Sequence, residues 1–223
     1  MTLAVDGTPA RTVLVLAKAP VPGRVKTRLC PPLTPAEAAR LAEAALADTL
    51  DAVLACAADR RVLVLDGAPG PWLPRGIEVV PQHGAGLAER LARAWAGPLG
   101  AATLQIGMDT PQVSPTLLDL GFALLEAPGA DAVLGLAGDG GWWAIGMRRA
   151  DPQVFDGVPM SDPNTGTAQL AALTRRGHRV RLLPLLRDVD TAADLQPVAA
   201  ECPPTGRFVS IATELGVAAC TSW

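Results

Sequence analysis

The sequence is poor in the residues that build disulfide frameworks, zinc sites and nucleophilic triads. It contains four cysteines, with no close pair, and two histidines. Zinc knuckles and disulfide-stapled scaffolds need regularly spaced cysteines, so neither is predicted, and a reducing, cytoplasmic location fits best. His83 has no visible Ser, Cys or Asp partner in the sequence, and the charged run around His178 predicts a solvated turn. A nucleophilic triad is therefore not expected.

Long apolar runs and an excess of positive charge are also missing. The first apolar run, residues 12–17, is far shorter than the about 20 residues that cross a bilayer, and it lacks the basic start of a secretion signal. The formal net charge is −3, whereas binding a nucleic-acid polymer depends on many Lys and Arg contacts. We therefore expect no membrane association and no polymer partner, and any bound phosphate should belong to a small molecule.

The composition is that of a well-filled globular domain. Hydrophobic residues make up 49% of the 223 residues and charged residues 18%, and no linker or internal repeat divides the chain. One domain, residues 1–223, is expected, with a core at about 11–195 and a tail, 196–223, whose periodicity is too weak for an assignment. Whether the protein is a monomer or a homodimer stays open.

Strand and helix patterns alternate along the core. Apolar and β-branched runs predict strands at 12–17, 61–65, 77–80, 102–107, 131–137, 142–147 and 180–186, and helices are predicted from 35, at 87–96, from 115, around 167–175 and after 191. Thr34 and Glu37 form a capping-box pattern at the first helix. This alternation predicts a three-layer α/β/α fold with a mostly parallel sheet. The turn at 138–141 is too short for a crossover helix, so one strand should be antiparallel.

The loop after the first strand concentrates positive charge. Lys18, Arg24, Lys26 and Arg28 lie within eleven residues, and Gly23 lets backbone amides approach a ligand. In open α/β sheets ligands bind beyond the carboxyl ends of the strands, so this loop predicts a phosphate site, although it is not a Walker A motif. The alternative is a solvated basic loop. A second loop contains Gly84 and Gly86 shortly after Gln82. These glycines could admit a base or ribose.

Carboxylates follow two other predicted strands. Asp109 comes directly after the strand at 102–107, and Asp188 and Asp190 share one side of the segment after the strand at 180–186. Mg²⁺ or Mn²⁺ takes one or two carboxylates and completes its shell with phosphate oxygens and water. The alternatives are that Asp109 only shapes a turn and that Asp190 complements the next helix, but they leave Asp188 unexplained.

A glycine-rich turn introduces two tryptophans. Asp139, Gly140 and Gly141 form a tight turn whose backbone can approach a ligand, and Trp142 and Trp143 should point to opposite faces of their strand. One of the two tryptophans could wall an acceptor pocket, although such a residue is more often simply part of the core.

Together these motifs resemble the bacterial GT-A-like transferase family associated with radical-SAM and selenodomain proteins. The resemblance is carried by residues 17–29, 107–111, 139–143 and 188–191. The chain is more distantly similar to phospholactate guanylyltransferase and the molybdenum-cofactor guanylyltransferases. The resemblance implies a GT-A fold of the nucleotide-diphospho-sugar transferase type. The family usually has tyrosines where Trp142 and Trp143 stand, and often Trp-Ser-Thr where this chain has Met160-Ser161-Asp162.

The resemblance also implies a role for each matched residue. By the resemblance, Lys18, Lys26 and Arg28 would hold the donor phosphates, Asp109 with Asp188 or Asp190 would bind the metal, and Asp139, Gly140 and Gly141 would border the acceptor. From the motifs and the resemblance together, the expected nucleotide contacts are Ala17, Lys18, Gly23, Lys26, Arg28, Gln82, Gly84 and Gly86, and the expected acceptor contacts are Asp139, Gly140, Gly141, Trp142 and Ser161. Lys26, Asp109 and Asp139 are the residues expected to act in catalysis.

Four loop cations suit a triphosphate better than a diphosphate. The first expectation is therefore metal-dependent nucleotidyl transfer from a nucleoside triphosphate to a small phosphorylated or hydroxylated acceptor, with release of pyrophosphate. Two alternatives remain open. One is glycosyl transfer from a nucleotide sugar at the same metal site, and the other is a non-catalytic nucleotide-binding protein.

Overall fold

A computed structural model of the protein describes residues 11–97 and 99–218. The strands are β1 (Arg11–Lys18), β2 (Arg60–Asp66), β3 (Glu78–Pro81), β4 (Ala102–Ile106), β5 (Ala132–Ala137), β6 (Trp142–Met147) and β7 (Val180–Leu186). The helices are α1 (Pro35–Ala55), α2 (Leu87–Trp95), α3 (Pro115–Glu126), α4 (Thr165–Arg175), α5 (Ala192–Glu201) and α6 (Arg207–Glu214), with 3₁₀ turns at Thr27–Leu29 and Pro152–Phe155. Every strand and helix predicted from the sequence is present, within about two residues at each end.

The strands form one sheet in the order β3-β2-β1-β4-β6-β5-β7. β6 runs antiparallel to both of its neighbours, β4 and β5, and all other pairs are parallel. Val13 and Val15 of β1 face the layer that contains α1 and α3, whereas Leu14 faces the layer that contains α2 and α4. This alternation confirms the predicted three-layer fold, because successive side chains of a strand are buried on opposite faces of the sheet. The pairing of β6 confirms the predicted antiparallel strand.

Helix α1 begins as its sequence predicts. The Thr34 hydroxyl accepts a hydrogen bond from the Glu37 backbone N–H at 3.3 Å, and the Glu37 carboxylate accepts one from the Thr34 backbone N–H at 2.8 Å. Leu46 and Leu50, one helical turn apart in α1, are fully buried. The cap fixes where α1 starts, and it therefore also fixes where the basic loop before it ends.

The segment after residue 195, which the sequence leaves unassigned, continues the packed structure. Helix α5 extends to Glu201, and α6 packs against α1 through the fully buried Phe208. The Asp48 carboxylate of α1 accepts hydrogen bonds from the backbone N–H groups of Arg207 and Phe208, at 3.0 and 2.8 Å. Pro197 hides how far the predicted helix after residue 191 extends, and the short length of α6 hides the periodicity that would have predicted α6.

The prediction of a solvated turn around His178 is wrong for its side chain. The His178 imidazole is only 15% exposed, and its Nε2 lies 3.2 Å from Oδ2 of Asp151. The same carboxylate accepts a hydrogen bond from Arg176. This contact could not be read from the sequence, because Asp151 lies 27 residues earlier in the chain.

Two further features of the fold are the state of its cysteines and the length and apolarity of its helices. Cys30, Cys56 and Cys202 are free thiols, and Cys220 lies outside the described residues. Burial raises the pKa of the Cys202 thiol to about 12, which keeps it protonated at neutral pH. In the described part of the chain, no helix combines the length and apolarity that crossing a membrane requires.

Replacing the helix cap tests the start of α1. Thr34→Ala removes the oxygen that accepts from Glu37, so we expect a loss of about 1 kcal/mol in the free energy of unfolding, measured by urea denaturation. Thr205→Ala, at an exposed loop position, is the matched control and should stay within about 0.5 kcal/mol of wild type. Equal effects of the two substitutions would contradict the capping role.

Candidate active site

The polar segments singled out in the sequence meet at one edge of the sheet. The segment after β7 reaches back to the end of β4, where the Val189 backbone N–H donates to the Asp109 carbonyl oxygen at 2.9 Å. The turn between β5 and β6 holds to the same segment, because the Gly138 N–H donates to the Leu186 carbonyl oxygen at 2.8 Å. Asp109, Asp188 and Asp190 therefore come together although about 80 residues separate them in sequence.

The Lys26 side chain reaches into this acidic group. Its ammonium lies 2.5 Å from Oδ1 of Asp109 and 3.6 Å from Oδ1 of Asp190, and it donates to the Val189 carbonyl oxygen. The side chain is only 7% exposed. The Lys26 backbone has a φ of 48°, a left-handed conformation that is uncommon for residues other than glycine. Lys26 thus neutralises part of the negative charge in the metal-free protein.

Asp188 is the least well satisfied of the carboxylates. Its Oδ1 atom is shielded from solvent and has no hydrogen-bond partner among the described residues. Burial raises the pKa of Asp188 to about 7, and repulsion from Asp109 and Asp139 adds to the increase, while Lys26 opposes it. A buried oxygen without a partner in an acidic surrounding is a position where a cation would be stabilised.

The donor atoms of this group, which we call the acidic cluster (Asp109, Asp139, Asp188 and Asp190), suit a hard divalent cation. All four residues line one cavity of about 650 Å³, and carboxylate oxygens are the preferred protein ligands of Mg²⁺ and Mn²⁺. Within residues 11–97 and 99–218, no three acidic, His or Cys side chains are close enough together to hold an ion as they stand. The residue types and the unpaired Asp188 oxygen fit a metal, but the Lys26 ammonium occupies the space between Asp109 and Asp190.

A second cavity, of about 510 Å³, holds the basic loop and shares a wall with the first. Of the residues predicted to bind the nucleotide, Ala17, Lys18, Lys26, Arg28, Gln82 and Gly86 line it. The Lys18 and Arg24 side chains are exposed and have no ion-pair partner among the described residues, and Arg28 is 71% exposed with a guanidinium nitrogen 3.5 Å from Asp190. Three cations are therefore available to an anionic ligand.

Of the residues predicted to bind the nucleotide, one also links two strands of the sheet, and two lie outside both cavities. The Gln82 side-chain amide donates to the carbonyl oxygens of Ala17 and Val64, at 2.7 and 3.0 Å, so it joins β1 and β2. Gly23 and Gly84 have φ angles of 75° and 136° and do not line either cavity. Their role in the structure is to allow backbone turns.

The acceptor side predicted from the sequence forms part of the larger cavity. Asp139, Gly141, Trp142 and Ser161 line it, and Trp143 points the other way into the core, where its indole N–H donates to the Pro184 carbonyl oxygen at 3.0 Å. Ser161 has a φ of 58°, again left-handed. Trp142 thus belongs to the wall of the cavity, and the other apolar residues of this apolar wall, which the sequence did not reveal, are Leu16, Leu87, Leu91 and Met160.

Gly140 packs the turn against the start of α4. A Cβ added at this residue would lie 1.9 Å from the Pro163 carbonyl oxygen, and the Gly140 carbonyl oxygen accepts from the Gly166 N–H at 2.8 Å. The Asp139 carboxylate accepts from the Gly141 N–H at 2.8 Å, which fixes the carboxylate at the cavity. Gly140 does not line the cavity itself; it allows the close approach that positions Asp139.

The three-layer α/β fold with this sheet order is shared with solved structures of the nucleotide-diphospho-sugar transferase type. A candidate nucleotide-diphospho-sugar transferase from Desulfovibrio desulfuricans G20 has a TM-score of 0.80 at 24% identity, over 93% of this chain and 95% of that one. CMP:2-keto-3-deoxy-manno-octonic acid synthetase complexed with CTP has a TM-score of 0.55 at 13% identity, over 92% and 99%. A Pyrobaculum calidifontis mannosyltransferase in complex with GDP-Man and Mn²⁺ has 0.51 at 14%, over 94% and 70%.

Within this fold the chain belongs to a bacterial protein family. The model of the family described as "Uncharacterized protein conserved in bacteria (DUF2064)" matches residues 40–162. A search of curated proteins finds no match. The matched segment includes Asp109, Asp139 and Ser161, whereas the basic loop and Asp188 with Asp190 lie outside it.

Neutralising Asp188 should stabilise the metal-free protein. Because the pKa of the folded carboxyl is about 7 against an ordinary 3.8, the folded state holds the proton more tightly, and this stability is lost as pH rises towards and through 7. In EDTA, the melting temperature of Asp188→Asn should therefore exceed that of wild type at pH 8 and approach it at pH 4. Asp156→Asn, an exposed position, is the control. A lower melting temperature for Asp188→Asn at pH 8 would contradict this assignment.

The packing at Gly140 can be separated from its backbone conformation. Gly140→Ala and Gly177→Ala both place Ala at a positive φ, 91° and 84°, but only the former meets neighbouring atoms. We expect Gly177→Ala to cost about 1–2 kcal/mol of unfolding free energy in urea denaturation, and Gly140→Ala clearly more. Equal losses would show that the contact with Pro163 has no steric consequence.

Proposed function

We propose that the protein is a metal-dependent transferase that moves a nucleotidyl group from a nucleoside triphosphate to a small phosphorylated or hydroxylated acceptor. The observation that carries this proposal is the shared wall of the two cavities. Exposed cations line one side of it, the acidic cluster lines the other, and Asp109, Asp190 and Arg28 belong to both. A triphosphate donor and an acceptor would meet at this wall.

The basic cavity is suited to the polyphosphate of the donor. Lys18, Arg24 and Arg28 are exposed at its edge and can compensate most of the charge of a triphosphate. Arg28 lies nearest to the acidic cluster. Cations in this position hold the donor in line with the acceptor and stabilise the departing pyrophosphate.

The acidic cluster would hold Mg²⁺ or Mn²⁺. Asp109, Asp190 and the more buried Asp188 are the proposed ligands. The bound ion would neutralise charge on the donor phosphates. The Pyrobaculum mannosyltransferase, which shares the fold, has Mn²⁺ in its complex, and this supports the choice of ion. Asp139, fixed by its own turn, is proposed to orient the acceptor.

The larger cavity would hold the acceptor between the acidic cluster and the apolar wall. An acceptor oxygen would attack the α-phosphorus of the donor, forming an O–P bond as the bond to pyrophosphate breaks, and the acceptor proton would pass to solvent. Trp142 and Met160 exclude water on one side of the acceptor, and the Ser161 hydroxyl offers a hydrogen bond.

Glycosyl transfer from a nucleotide sugar is the second candidate. It is favoured by the similarity to the Desulfovibrio structure, which has a TM-score of 0.80 and is described as a candidate nucleotide-diphospho-sugar transferase. The same residues would hold the diphosphate and the metal, and attack would occur at the anomeric carbon. Product analysis separates the two reactions, because nucleotidyl transfer releases pyrophosphate and glycosyl transfer releases a nucleoside diphosphate.

Removal of the Asp109 carboxylate tests the proposal. A thermal-shift screen of nucleoside triphosphates and nucleotide sugars with Mn²⁺ first identifies the donor, because a ligand of the native state raises the melting temperature. With that donor, Asp109→Asn should lower turnover at least about 100-fold, since charge stabilisation by a bound ion supplies several kcal/mol. Asp156→Asn should retain wild-type turnover. An Asp109→Asn enzyme of full activity would overturn the metal-dependent mechanism, and a protein that binds donor without turnover would be a non-catalytic nucleotide-binding protein.

A further inference from the structure

Lys26 contacts carboxylates rather than the open side of the basic cavity. Its ammonium approaches Asp109 at 2.5 Å, faces Asp190 and donates to a backbone carbonyl, with only 7% of the side chain exposed. Lys18 and Arg24, in the same loop, are exposed and have no such partner among the described residues. One loop thus holds two kinds of cation, those open to a ligand and one engaged by the protein's own acids.

A divalent ion and the Lys26 ammonium cannot occupy this position together. A carboxylate oxygen binds Mg²⁺ at about 2.0–2.1 Å, so an ion on Oδ1 of Asp109, the oxygen that Lys26 contacts, would lie against the ammonium, and two cations at that separation repel strongly.

We propose that Lys26 is an internal counter-cation that keeps Asp109 and Asp190 closed to divalent ions until donor phosphates draw its ammonium away. This role rests on the proposed function, since it requires a phosphate ligand in the basic cavity. Lys26 lines that cavity as well, so its flexible four-carbon stem can bring the ammonium to a phosphate without displacing the loop. Metal and nucleotide would then be bound together rather than singly.

The exchange of partners has a thermodynamic consequence. If nucleotide binding removes Lys26 from the carboxylates, it increases the affinity for the metal, and the metal increases the affinity for the nucleotide by the same factor. Part of this coupling comes from direct bonds between ion and phosphate. The part due to Lys26 is visible without any nucleotide, because a neutral side chain at position 26 leaves Asp109 free to bind an ion.

Mn²⁺ binding to the nucleotide-free protein tests the proposal, with free Mn²⁺ measured by electron paramagnetic resonance. Lys26→Met should bind Mn²⁺ at least 10-fold more tightly than wild type, and Lys26→Gln, a second neutral variant, should do the same. Lys26→Arg restores the charge and should stay within 3-fold of wild type. Lys18→Met removes one charge from the same loop without touching the acidic cluster, and it should also stay within 3-fold.

The outcomes separate this role from the proposed function. Mn²⁺ affinity that is unchanged or weaker in both neutral variants would overturn the counter-cation role. The transferase proposal would stay intact if wild type with the donor found by the thermal-shift screen binds more Mn²⁺ than the donor alone. An equal gain in Lys18→Met would also overturn it, because the effect would then be general electrostatics. Failure of every variant to bind Mn²⁺, with or without nucleotide, would overturn both.

Discussion

The ammonium of Lys26 lies between two acidic strand ends and offsets part of their negative charge. Asp109 follows β4 and Asp190 follows β7, and a backbone hydrogen bond from Val189 to Asp109 holds the two segments side by side. Without the ammonium, Asp109 would lose its ion-pair partner and Asp190 would keep only the exposed Arg28. Through Lys26, the basic loop therefore contributes a cation to the acidic cluster. The left-handed backbone of Lys26 lies at this contact.

This arrangement explains why the cavities are neighbours. The ends of β1 and β4 are adjacent in the parallel part of the sheet, so the basic loop and Asp109 are brought together by strand pairing alone. The antiparallel strand β6 places the Asp139 turn at the same edge, and Gly140 lets that turn pack against α4. The fold thus places the exposed cations of the basic loop, the acidic cluster and the apolar wall around two neighbouring cavities at one edge of the sheet.

Much of this could be predicted from the sequence because the signals are local. The capping box at Thr34, the apolar strand runs and the short turn at 138–141 each depend on residues close together in the chain. The convergence of Asp109 with Asp188 and Asp190 followed from one rule about strand ends. A helix after residue 191 was predicted, but how far α5 extends and the presence of α6 were not, because α5 contains Pro197 and α6 is short.

The missed features are contacts between distant residues. Lys26 pairs with Asp109, and Gln82 joins two strands. Leu87, Leu91 and Met160 form one apolar wall. These contacts depend on side-chain directions that no local sequence pattern contains. His178 shows the same limit, since its partner is 27 residues away. Sequence reasoning therefore named most of the cavity-lining polar residues but not which of them already have partners.

The central claim is that the acidic cluster and the basic loop together enclose a metal-bound nucleotide. Anomalous scattering from Mn²⁺ in crystals grown with a non-hydrolysable nucleoside triphosphate tests it most directly. The account predicts one strong peak within coordinating distance of Asp109 and Asp190, with triphosphate density along Lys18 and Arg28 and the Lys26 ammonium moved from Asp109 to a phosphate. A peak away from these carboxylates, or nucleotide density outside the basic cavity, would contradict it.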